Sequence, residues 1–296
     1  MSLIHDSLRK VDQPEPTPRT QVWTSAVAMS EQTAAVRAQN TALKERPAVA
    51  QKTPDADAPL GVECRTVSWT LQPSAILDFE SDTALRATEE FRLLRSRLYQ
   101  GRADQALKSL LVTSAVSGEG KSFVAANLWH VLSLHRERRV LLIDGNLRTP
   151  SLHKFLGAGM TPGLNECLSG DVDLATALQR GDAPNSYFLP AGAPLTRSSD
   201  LLSDGRLTPF IQHLAARFDW VVVDAPAAVE TSDACSLAEA VDGVLLVVRA
   251  NKTSRDQVQR ALGRFAEDRM LGVVLNEIAD AANKEGEAFS GEKHGE

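Results

Sequence analysis

The sequence predicts an α/β fold of three layers, in which a mostly parallel central sheet is covered by helices on both faces. From about residue 82, short apolar runs alternate with segments of helical period, which is typical of parallel sheets. Three of these runs, VLLID, WVVVD and GVLLVV, are apolar at successive rather than alternate positions. Because both faces of such strands are buried, these runs are expected at the centre of the sheet.

One folded domain with a tail at each end is expected rather than two cores. Apolar residues make up 43% of the chain and concentrate after residue 105, which is enough for one core in a domain of about 200 residues. Residues 82–280 are predicted to form this domain. Residues 1–80 are predicted to be largely disordered, because residues 12–60 are rich in Pro, Gln, Thr, Ala and charge without a regular period. A disordered tail is predicted over residues 281–296.

Charge, cysteine content and hydropathy argue against several classes of protein. The net charge of −6 offers no general attraction for phosphate backbones, so nucleic-acid binding is not expected. The three cysteines lie far apart without a C-x-x-C pair, which argues against a zinc site and against a disulfide framework. No stretch approaches the roughly 20 apolar residues of a membrane span, and the N-terminus lacks the apolar segment of a signal peptide. A cytoplasmic protein is therefore expected.

Two short patterns occur in the N-terminal region. Residues 1–11 place apolar side chains at helical spacing beside Arg9 and Lys10, which predicts either a short amphipathic docking helix or a frayed terminus. Residues 67–71 alternate as an edge strand does, until Pro73 interrupts the alternation. Residues 1–11 would then form a docking helix, and residues 67–71 would pack on the edge of the domain.

A helix and six strands are predicted in the folded domain. The helix begins at about Asp82 and runs to Leu98, because Phe91, Leu94 and Leu98 recur at spacings of three and four residues. The apolar runs that follow predict strands over residues 110–113, 140–143, 187–189, 220–223, 244–248 and 272–275.

The segment after the first predicted strand has the sequence of a P-loop. It reads SAVSGEGKS over residues 114–122 and leads directly into a helix, as the motif requires. Glycines let successive main-chain N–H groups point inward around a phosphate, and the helix N-terminus adds the positive end of its dipole. Lys121 would supply a cation to the β- and γ-phosphate oxygens, and the Ser122 hydroxyl would ligate Mg²⁺. A simple glycine turn would leave both side chains unexplained. We therefore predict an Mg-ATP site that includes Ser117, Gly118, Glu119, Gly120, Lys121, Ser122 and Phe123.

Two aspartates end predicted strands beside the P-loop. Asp144 follows VLLI and Asp224 follows WVVV. Open α/β sheets bind ligands at the carboxyl ends of their strands, so both acids are predicted to lie at the nucleotide. Asp224 is expected in the Mg²⁺ shell together with Ser122, and Asp144 is expected to act on the attacking group close to the metal. Either acid taken alone is also consistent with a solvated strand end.

Two further polar residues are candidates for contacts with the nucleotide. Arg148 lies four residues after Asp144, which predicts either a catalytic contact with the phosphates or a surface ion pair. Asn276 ends the last predicted strand, so its amide would contact the adenine ring or form part of a turn. The spacing alone does not separate these alternatives.

Three charged residues recur on one face of the predicted first helix. Glu89, Arg92 and Arg95 are three residues apart, which places them on neighbouring turns of that face. Such a face is typical either of an ion-paired interface between copies of the chain or of a solvated helix surface.

Together these motifs resemble those of the bacterial tyrosine kinases of capsule and exopolysaccharide synthesis, a branch of the partition-ATPase-like superfamily of P-loop NTPases. The resemblance covers about residues 82–278. The matching segments are EEFRLLRSRL, LLVTSAVSGEGKS, VLLIDGNLRTPSLHKFLG, PGLNECLSG, FLPAG, FDWVVVDAP, SDACSLAEAVDGVLLVVRA and LGVVLNEI.

The resemblance implies a role for each motif. Lys121 and Ser122 correspond to the Walker A residues, Asp144 to the first acid of Walker A′ and Asp224 to the Walker B acid. The helix with Glu89, Arg92 and Arg95 would pack protomers into a ring. The family couples an ATP-dependent tyrosine kinase to a membrane-embedded polysaccharide co-polymerase, which implies a position at the inner membrane through that partner.

Two departures from the family pattern keep other functions open. Asn146 stands where the family has a second acid, and the C-terminal segment lacks the family's tyrosine cluster, so that Tyr99 and Tyr187 are the chain's only tyrosines. An ATP-binding regulator without phosphotransfer is therefore the first alternative. A partition-type ATPase is the second, although Val116 replaces the signature lysine of that class.

Overall fold

The described part of the chain contains one sheet of nine strands. The computed structural model describes residues 22–23, 64–79, 85–104 and 106–277. Its strands are β1 (Val22–Trp23), β2 (Arg65–Thr66), β3 (Ser109–Ser114), β4 (Val140–Asp144), β5 (Gln179–Arg180), β6 (Ser186–Leu189), β7 (Trp220–Asp224), β8 (Gly243–Arg249) and β9 (Met270–Asn276).

The strands lie in the order β1, β9, β8, β3, β7, β4, β6, β5 and β2. The six strands from β9 to β6 are all parallel to one another. At the two edges, β1 is antiparallel to β9 and β5 is antiparallel to β6, while β2 is parallel to β5. Each of the six predicted strands lies within one of the six central strands, so the mostly parallel sheet is confirmed.

Helices cover the sheet between these strands. The α-helices are α1 (Leu85–Asp104), α2 (Lys121–Ser133), α3 (Leu152–Leu156), α4 (Leu164–Ser169), α5 (Leu174–Ala177), α6 (Ser198–Leu202), α7 (Leu207–Ala215), α8 (Asp233–Ala240) and α9 (Arg255–Leu262). A 3₁₀ turn at Glu267–Arg269 precedes β9. None of the helices described is both long and apolar enough to cross a membrane.

Alternate residues of the central strands contribute to two separate cores. On β3, Leu110 and Val112 pack with α1 and α2, whereas Leu111 packs with α7 and α8 on the opposite face. On β7, Val222 belongs to the first core and Val221 to the second. Both faces of the sheet are therefore covered, which confirms the predicted three layers and explains why these strands are apolar at successive positions.

The first helix is longer than predicted but packs as expected. It extends to Asp104, six residues beyond the predicted end at Leu98. Phe91, Leu94 and Leu98 are buried against α2 and the sheet, so their spacing correctly identified the inner face. Residues 81–84 lie outside the described part of the chain.

The N-terminal region contributes more structure than predicted. The strand β1 lies within the stretch expected to be a disordered linker, and its two residues are too few to produce a recognisable period. Residues 64–79 also pack on the domain, and Ile76 and Phe79 are buried there. The predicted docking helix over residues 1–11 and the tail over residues 281–296 lie outside the described residues.

The edge strand predicted over residues 67–71 is wrong. The strand β2 lies just before it, and the main-chain N–H of Val67 makes one more bond to Arg180 at 2.8 Å. Trp69 instead packs against Trp129 of α2, with 5.7 Å between the ring centroids. The alternation of apolar residues over 67–71 therefore includes a tryptophan that packs on α2, and it does not mark a strand.

Asn127 fastens residues 64–79 to the domain. This side chain on α2 is fully buried. Its Oδ1 accepts a hydrogen bond from the Leu77 N–H at 2.7 Å, and its Nδ2 donates to the Ala75 carbonyl at 2.9 Å. A buried main-chain group that loses its partner is costly, so this amide acts as a two-point clamp.

We expect Asn127→Ala to lower the free energy of unfolding by about 2–4 kcal/mol, because a buried and a partly buried main-chain group lose their partners. Urea unfolding at neutral pH measures this change. The matched control is Gln100→Ala, since Gln100 is an exposed residue of α1 and its loss should be near neutral. A stability equal to that of Gln100→Ala would show that residues 64–79 are not held by this amide.

Candidate functional site

The register of the sheet brings the two predicted acids together. Asp144 and Asp224 are the last residues of β4 and β7, and they are directly paired in the ladder between these strands. The next strand on the other side of β7 is β3, from which the P-loop leaves. Both carboxyl groups therefore lie at the P-loop edge of the sheet, as the sequence predicts.

The loop between β3 and α2 has the conformation of a phosphate cradle. Gly118 and Gly120 have φ angles of 84° and 87°, in the left-handed region that favours glycine. A Cβ atom at Gly120 would lie 2.1 Å from Nδ2 of Asn276, so this position has no room for a side chain. The helix α2 begins at the next residue, Lys121, and directs its N-terminus at the cradle.

The Glu119 side chain holds the loop rather than facing a ligand. The residue is 1% exposed, and its Oε2 accepts from the Val116 N–H at 2.7 Å. Its Oε1 accepts from the Arg249 N–H at 3.1 Å and from the Thr253 hydroxyl. Any contact of Glu119 with a nucleotide is therefore left to its main chain, and the carboxylate ties the P-loop to the end of β8.

Asn276 also holds the loop from the last strand. Its Nδ2 donates to the Glu119 carbonyl at 2.9 Å, which orients the amide. The Oδ1 atom remains as the acceptor that an amino group of a base would require. The structure thus gives this residue a structural contact, and the adenine contact stays a prediction.

Ser122 and Asp224 form the part of the site that suits a metal ion. The Ser122 hydroxyl donates to Oδ2 of Asp224 at 2.6 Å, and Lys121 Nζ lies 3.5 Å from the same hydroxyl. Oδ1 of Asp224 is buried without a hydrogen-bond partner. A buried carboxylate oxygen with no partner, next to a hydroxyl, offers the hard oxygen ligands that Mg²⁺ prefers.

The protein alone does not complete a metal shell here. Among the residues the structure describes, no group of three His, Cys, Asp or Glu side chains is placed to hold a metal ion. A Mg²⁺ ion at Ser122 and Asp224 would need phosphate oxygens and waters as its remaining ligands, which is usual for magnesium at nucleotide sites.

Asp144 is anchored by main-chain N–H groups of the loop after β4 and of the start of α3. Its Oδ1 accepts from Asn146 at 3.1 Å, and its Oδ2 accepts from Ser151 and Leu152 at 3.0 and 3.1 Å. These three donors fix the direction of the carboxyl group. The position of a proton acceptor in this site is therefore determined by the backbone.

Burial raises the pKa of both acids. The pKa of Asp144 rises to about 7, because the group is buried and because Asp224 lies beside it, although the three N–H donors oppose the rise. The pKa of Asp224 rises to about 6 through burial, against the opposing effects of Lys121 and Ser122. Both pKa values therefore lie close to neutral pH, where a catalytic acid or base has to gain and lose protons.

Asn146 lies next to this pair but makes a local turn. Its Oδ1 accepts from the Thr149 N–H at 3.2 Å and from the Thr149 hydroxyl at 3.3 Å. The residue is 6% exposed. Asn146 is a neutral amide, so it adds no further negative charge to Asp144 and Asp224.

Arg148 makes the ion pair that the sequence left open as an alternative. Its Nε lies 3.0 Å from Oδ2 of Asp233, and its Nη2 lies 3.4 Å from Oδ1. Asp233 is fully buried at the start of α8 and also accepts from the Ser198 hydroxyl. Sequence reasoning missed Asp233, since an acid at a helix start has a helix-capping explanation of its own.

Ser117 and Phe123 occupy the two ends of the predicted cradle. The Ser117 N–H donates to Oε1 of Glu230 at 2.7 Å, so this main-chain group already has an anionic partner. The Phe123 ring packs against Phe91 of α1, with 6.2 Å between centroids. Glu230 was also missed, because only the folded loop after β7 brings it to the cradle.

The charged face of α1 makes contacts within the chain. Arg92 pairs with Glu89, and its Nη2 donates to the Phe79 carbonyl at 2.6 Å. Arg95 donates to the Val131 carbonyl of α2 at 3.0 Å. The two arginines therefore anchor α1 to its own domain, and their role between copies of the chain stays a prediction.

Comparisons with known proteins find tyrosine-protein kinases of bacteria. Tyrosine-protein kinase YwqD of Bacillus subtilis (strain 168) is 31% identical over 191 residues, which cover 64% of this chain and 80% of YwqD. Tyrosine-protein kinase wzc of Salmonella typhi is 31% identical over 194 residues, which cover 65% of this chain but only 27% of wzc. This chain therefore matches about a quarter of the longer relative.

A solved structure shows the same fold at comparable similarity. The kinase domain of VpsO superposes with a TM-score of 0.56 at 30% identity, and the match covers 62% of this chain and 92% of that domain. No protein-family model matches the chain. The relative YwqD, which is matched over most of its length, decides the assignment. The chain belongs to the family of bacterial tyrosine kinases.

Proposed function

We propose that the chain is an ATP-dependent protein-tyrosine kinase that regulates the synthesis and export of an exopolysaccharide or capsule. The observation that carries the kinase part is the contact between Ser122 and Asp224, with Asp144 beside it, at the mouth of a P-loop. The polysaccharide part rests on the resemblance of the sequence motifs to kinases of that class.

ATP and Mg²⁺ are the proposed cofactors. Mg²⁺ would supply positive charge at the β- and γ-phosphates. Ser122 and Asp224 would hold it, and Asp144 lies close enough to act on the same shell. The N–H groups from Gly118 to Phe123 would bind the phosphates, and Lys121 would balance the charge that develops during transfer.

Asp144 is the proposed general base. Its raised pKa suits a group that takes the proton from a tyrosine hydroxyl at neutral pH. Asp144 would take and keep that proton as the tyrosine oxygen bonds to the γ-phosphorus of ATP and ADP departs. Arg148 is proposed to assist at the phosphates, which requires that it leave its partner Asp233.

The acceptor is proposed to be a tyrosine of another protein. Tyr187 is 3% exposed on β6, and the Tyr99 hydroxyl is buried. Burial also raises the pKa of Tyr99. Tyr99 packs on Trp220, which is the first residue of β7, whereas Asp224 is the last. Trp220 and Asp224 are therefore about 13 Å apart along the strand. Neither tyrosine offers an accessible hydroxyl to this site.

A regulator that binds ATP without transferring phosphate is the second candidate. The neutral Asn146 beside Asp144 favours it, because the site has one acid fewer to handle the metal and the attacking hydroxyl. In such a protein the nucleotide state would control docking on a membrane partner. A partition-type ATPase ranks third, since Val116 supplies no lysine to the nucleotide.

Membrane partnership and self-association are further parts of the proposal. A membrane-embedded co-polymerase would place the chain at the inner face of the membrane. A ring of protomers would use α1, where Glu89 and Arg92 keep side-chain exposures of 65% and 34%. Arg92 and Arg95 each bind a main-chain carbonyl of their own domain. An interface between protomers would therefore use the other N–H groups of each guanidinium.

Lys121→Ala should weaken Mg-ATP affinity by at least about tenfold, because hydrogen bonds from a charged donor to phosphate are worth several RT. Calorimetry with Mg-ATP measures the affinity, and phosphotyrosine detection on a partner measures transfer, which should disappear. Lys108→Ala is the matched control, since Lys108 precedes β3 at the opposite end of the sheet. Unchanged affinity in Lys121→Ala would contradict the assignment of the P-loop.

Asp224→Asn should stabilise the metal-free protein relative to wild type, and more at pH 8 than at pH 5. The folded pKa values of Asp144 and Asp224 lie above the unfolded value of about 4, so the folded state binds more protons between pH 4 and 7. The stability that these protons provide is lost as pH rises through the folded pKa values. The expected difference at pH 8 is on the order of 2 kcal/mol.

Urea unfolding in EDTA at both pH values measures this difference. Asp268→Asn removes an exposed acid next to β9 and is the control. If Asp224→Asn destabilises the metal-free protein at pH 8, the two carboxyl groups do not repel each other as inferred. Added Mg²⁺ should stabilise wild type more than the variant.

The purified chain with Mg-ATP should give no phosphotyrosine, whereas addition of a tyrosine-bearing cytoplasmic segment of a polysaccharide co-polymerase should give label on that segment. Mass spectrometry assigns the labelled residue. Tyr99→Phe should leave this labelling unchanged, because the Tyr99 hydroxyl is buried away from the site. Label on the chain alone that Tyr99→Phe removes would refute the proposal, and ATP binding without label in either mixture would favour the regulator.

A further inference from the structure

Glu230 is an exposed acidic residue that contacts the main chain of the P-loop. Its Oε1 accepts a hydrogen bond from the Ser117 N–H at 2.7 Å. A carboxylate and a phosphate are both anionic acceptors of main-chain N–H groups. The Glu230 carboxylate therefore accepts a hydrogen bond from the Ser117 N–H, at the rim of the cradle, as a phosphate oxygen would.

The loop between β7 and α8 delivers Glu230 to this rim. The Ala228 N–H donates to the Ser114 carbonyl at 2.8 Å, and the Val229 N–H donates to the Ala115 carbonyl at 3.3 Å. These bonds hold the loop after β7 against the end of β3 and the start of the P-loop. The side chain of Glu230 is consequently directed along the P-loop.

The same loop begins at the metal end of the site. It leaves β7 at Asp224, whose carboxylate meets the Ser122 hydroxyl, and it ends at Glu230 on the P-loop rim. In P-loop proteins the lysine and the metal lie at the β- and γ-phosphates. Glu230 therefore ends a loop whose first residue, Asp224, lies at the metal position, where a nucleoside triphosphate differs from a diphosphate.

We propose that Glu230 is a specificity-determining residue that lowers the affinity for a nucleoside triphosphate relative to the diphosphate. The inference rests on the proposed nucleotide site. The γ-phosphate adds negative charge that Glu230 repels, whereas a diphosphate lacks that group. Across a solvent-exposed rim, repulsion between charges several ångströms apart changes an equilibrium constant by about threefold to tenfold.

Glu230→Gln separates this role from a structural one. The glutamine keeps the length of the side chain and an oxygen that can accept from Ser117, and it removes the charge. The matched control is Glu239→Gln, which removes the same charge from an exposed position at the far end of α8. Dissociation constants for Mg-ATP and Mg-ADP are measured by calorimetry at low and high salt for all three proteins.

Glu230→Gln is expected to tighten Mg-ATP binding by about threefold to tenfold at low salt and to change Mg-ADP binding by less than about twofold. The effect on ATP should shrink at high salt. Equal shifts for ATP and ADP in either direction would overturn the inference and identify Glu230 as a support for the loop. The same shift in Glu239→Gln would overturn it as well, because net charge would then be the cause.

Failure of the nucleotide site itself has a different outcome. If wild type binds neither ATP nor ADP, the proposed function fails and Glu230 has no nucleotide to select. If wild type binds both and Glu230→Gln leaves the ratio of their dissociation constants unchanged, only the inference about Glu230 fails.

Discussion

The pairing of Asp144 with Asp224 across the ladder of β4 and β7 is the constraint on which the site depends. Two carboxyl groups at adjacent strand ends are both buried, so each raises the cost of a charge on the other. Both acids end central strands of the sheet, where they are 1% and 0% exposed. The protein offsets part of the cost with three N–H donors on Asp144 and with Ser122 and Lys121 at Asp224.

Three side chains tie the phosphate cradle to distant parts of the chain. Glu119, a residue of the cradle itself, joins it to the end of β8, Asn276 joins it to the end of β9, and Glu230 joins it to the loop after β7. Asn276 and Glu230 bind main-chain groups of the loop, whereas Glu119 reaches β8 with its own side chain. The cradle is therefore formed before a ligand binds, which lowers the entropy lost on binding and makes its rim sensitive to changes in the surrounding loops.

The sequence was sufficient for features that depend on local pattern. Central strands are apolar at successive positions, and the P-loop is a contiguous motif, so both could be predicted. The strands β1, β2 and β5 have two residues each and carry no period. The contacts of Glu119, Glu230 and Arg148 join residues 134, 113 and 85 positions apart, so only the fold could reveal them. For Arg148 the pattern allowed an ion pair, but it could not identify Asp233 as the partner.

The charges around the cradle explain why nucleotide and metal should bind together. Asp144 and Asp224 are acids of the site, and Glu230 lies at its rim, while Arg148 is engaged with Asp233. Lys121 is the cation that acts on Asp224. Several phosphate charges added to these acids would be strongly opposed without a compensating ion. Mg²⁺ at Ser122 and Asp224 would remove the protons that burial holds on the acid pair and would attract the phosphates at the same time. The buried acids thus make the metal a condition for tight nucleotide binding, and not only an aid to the chemical step.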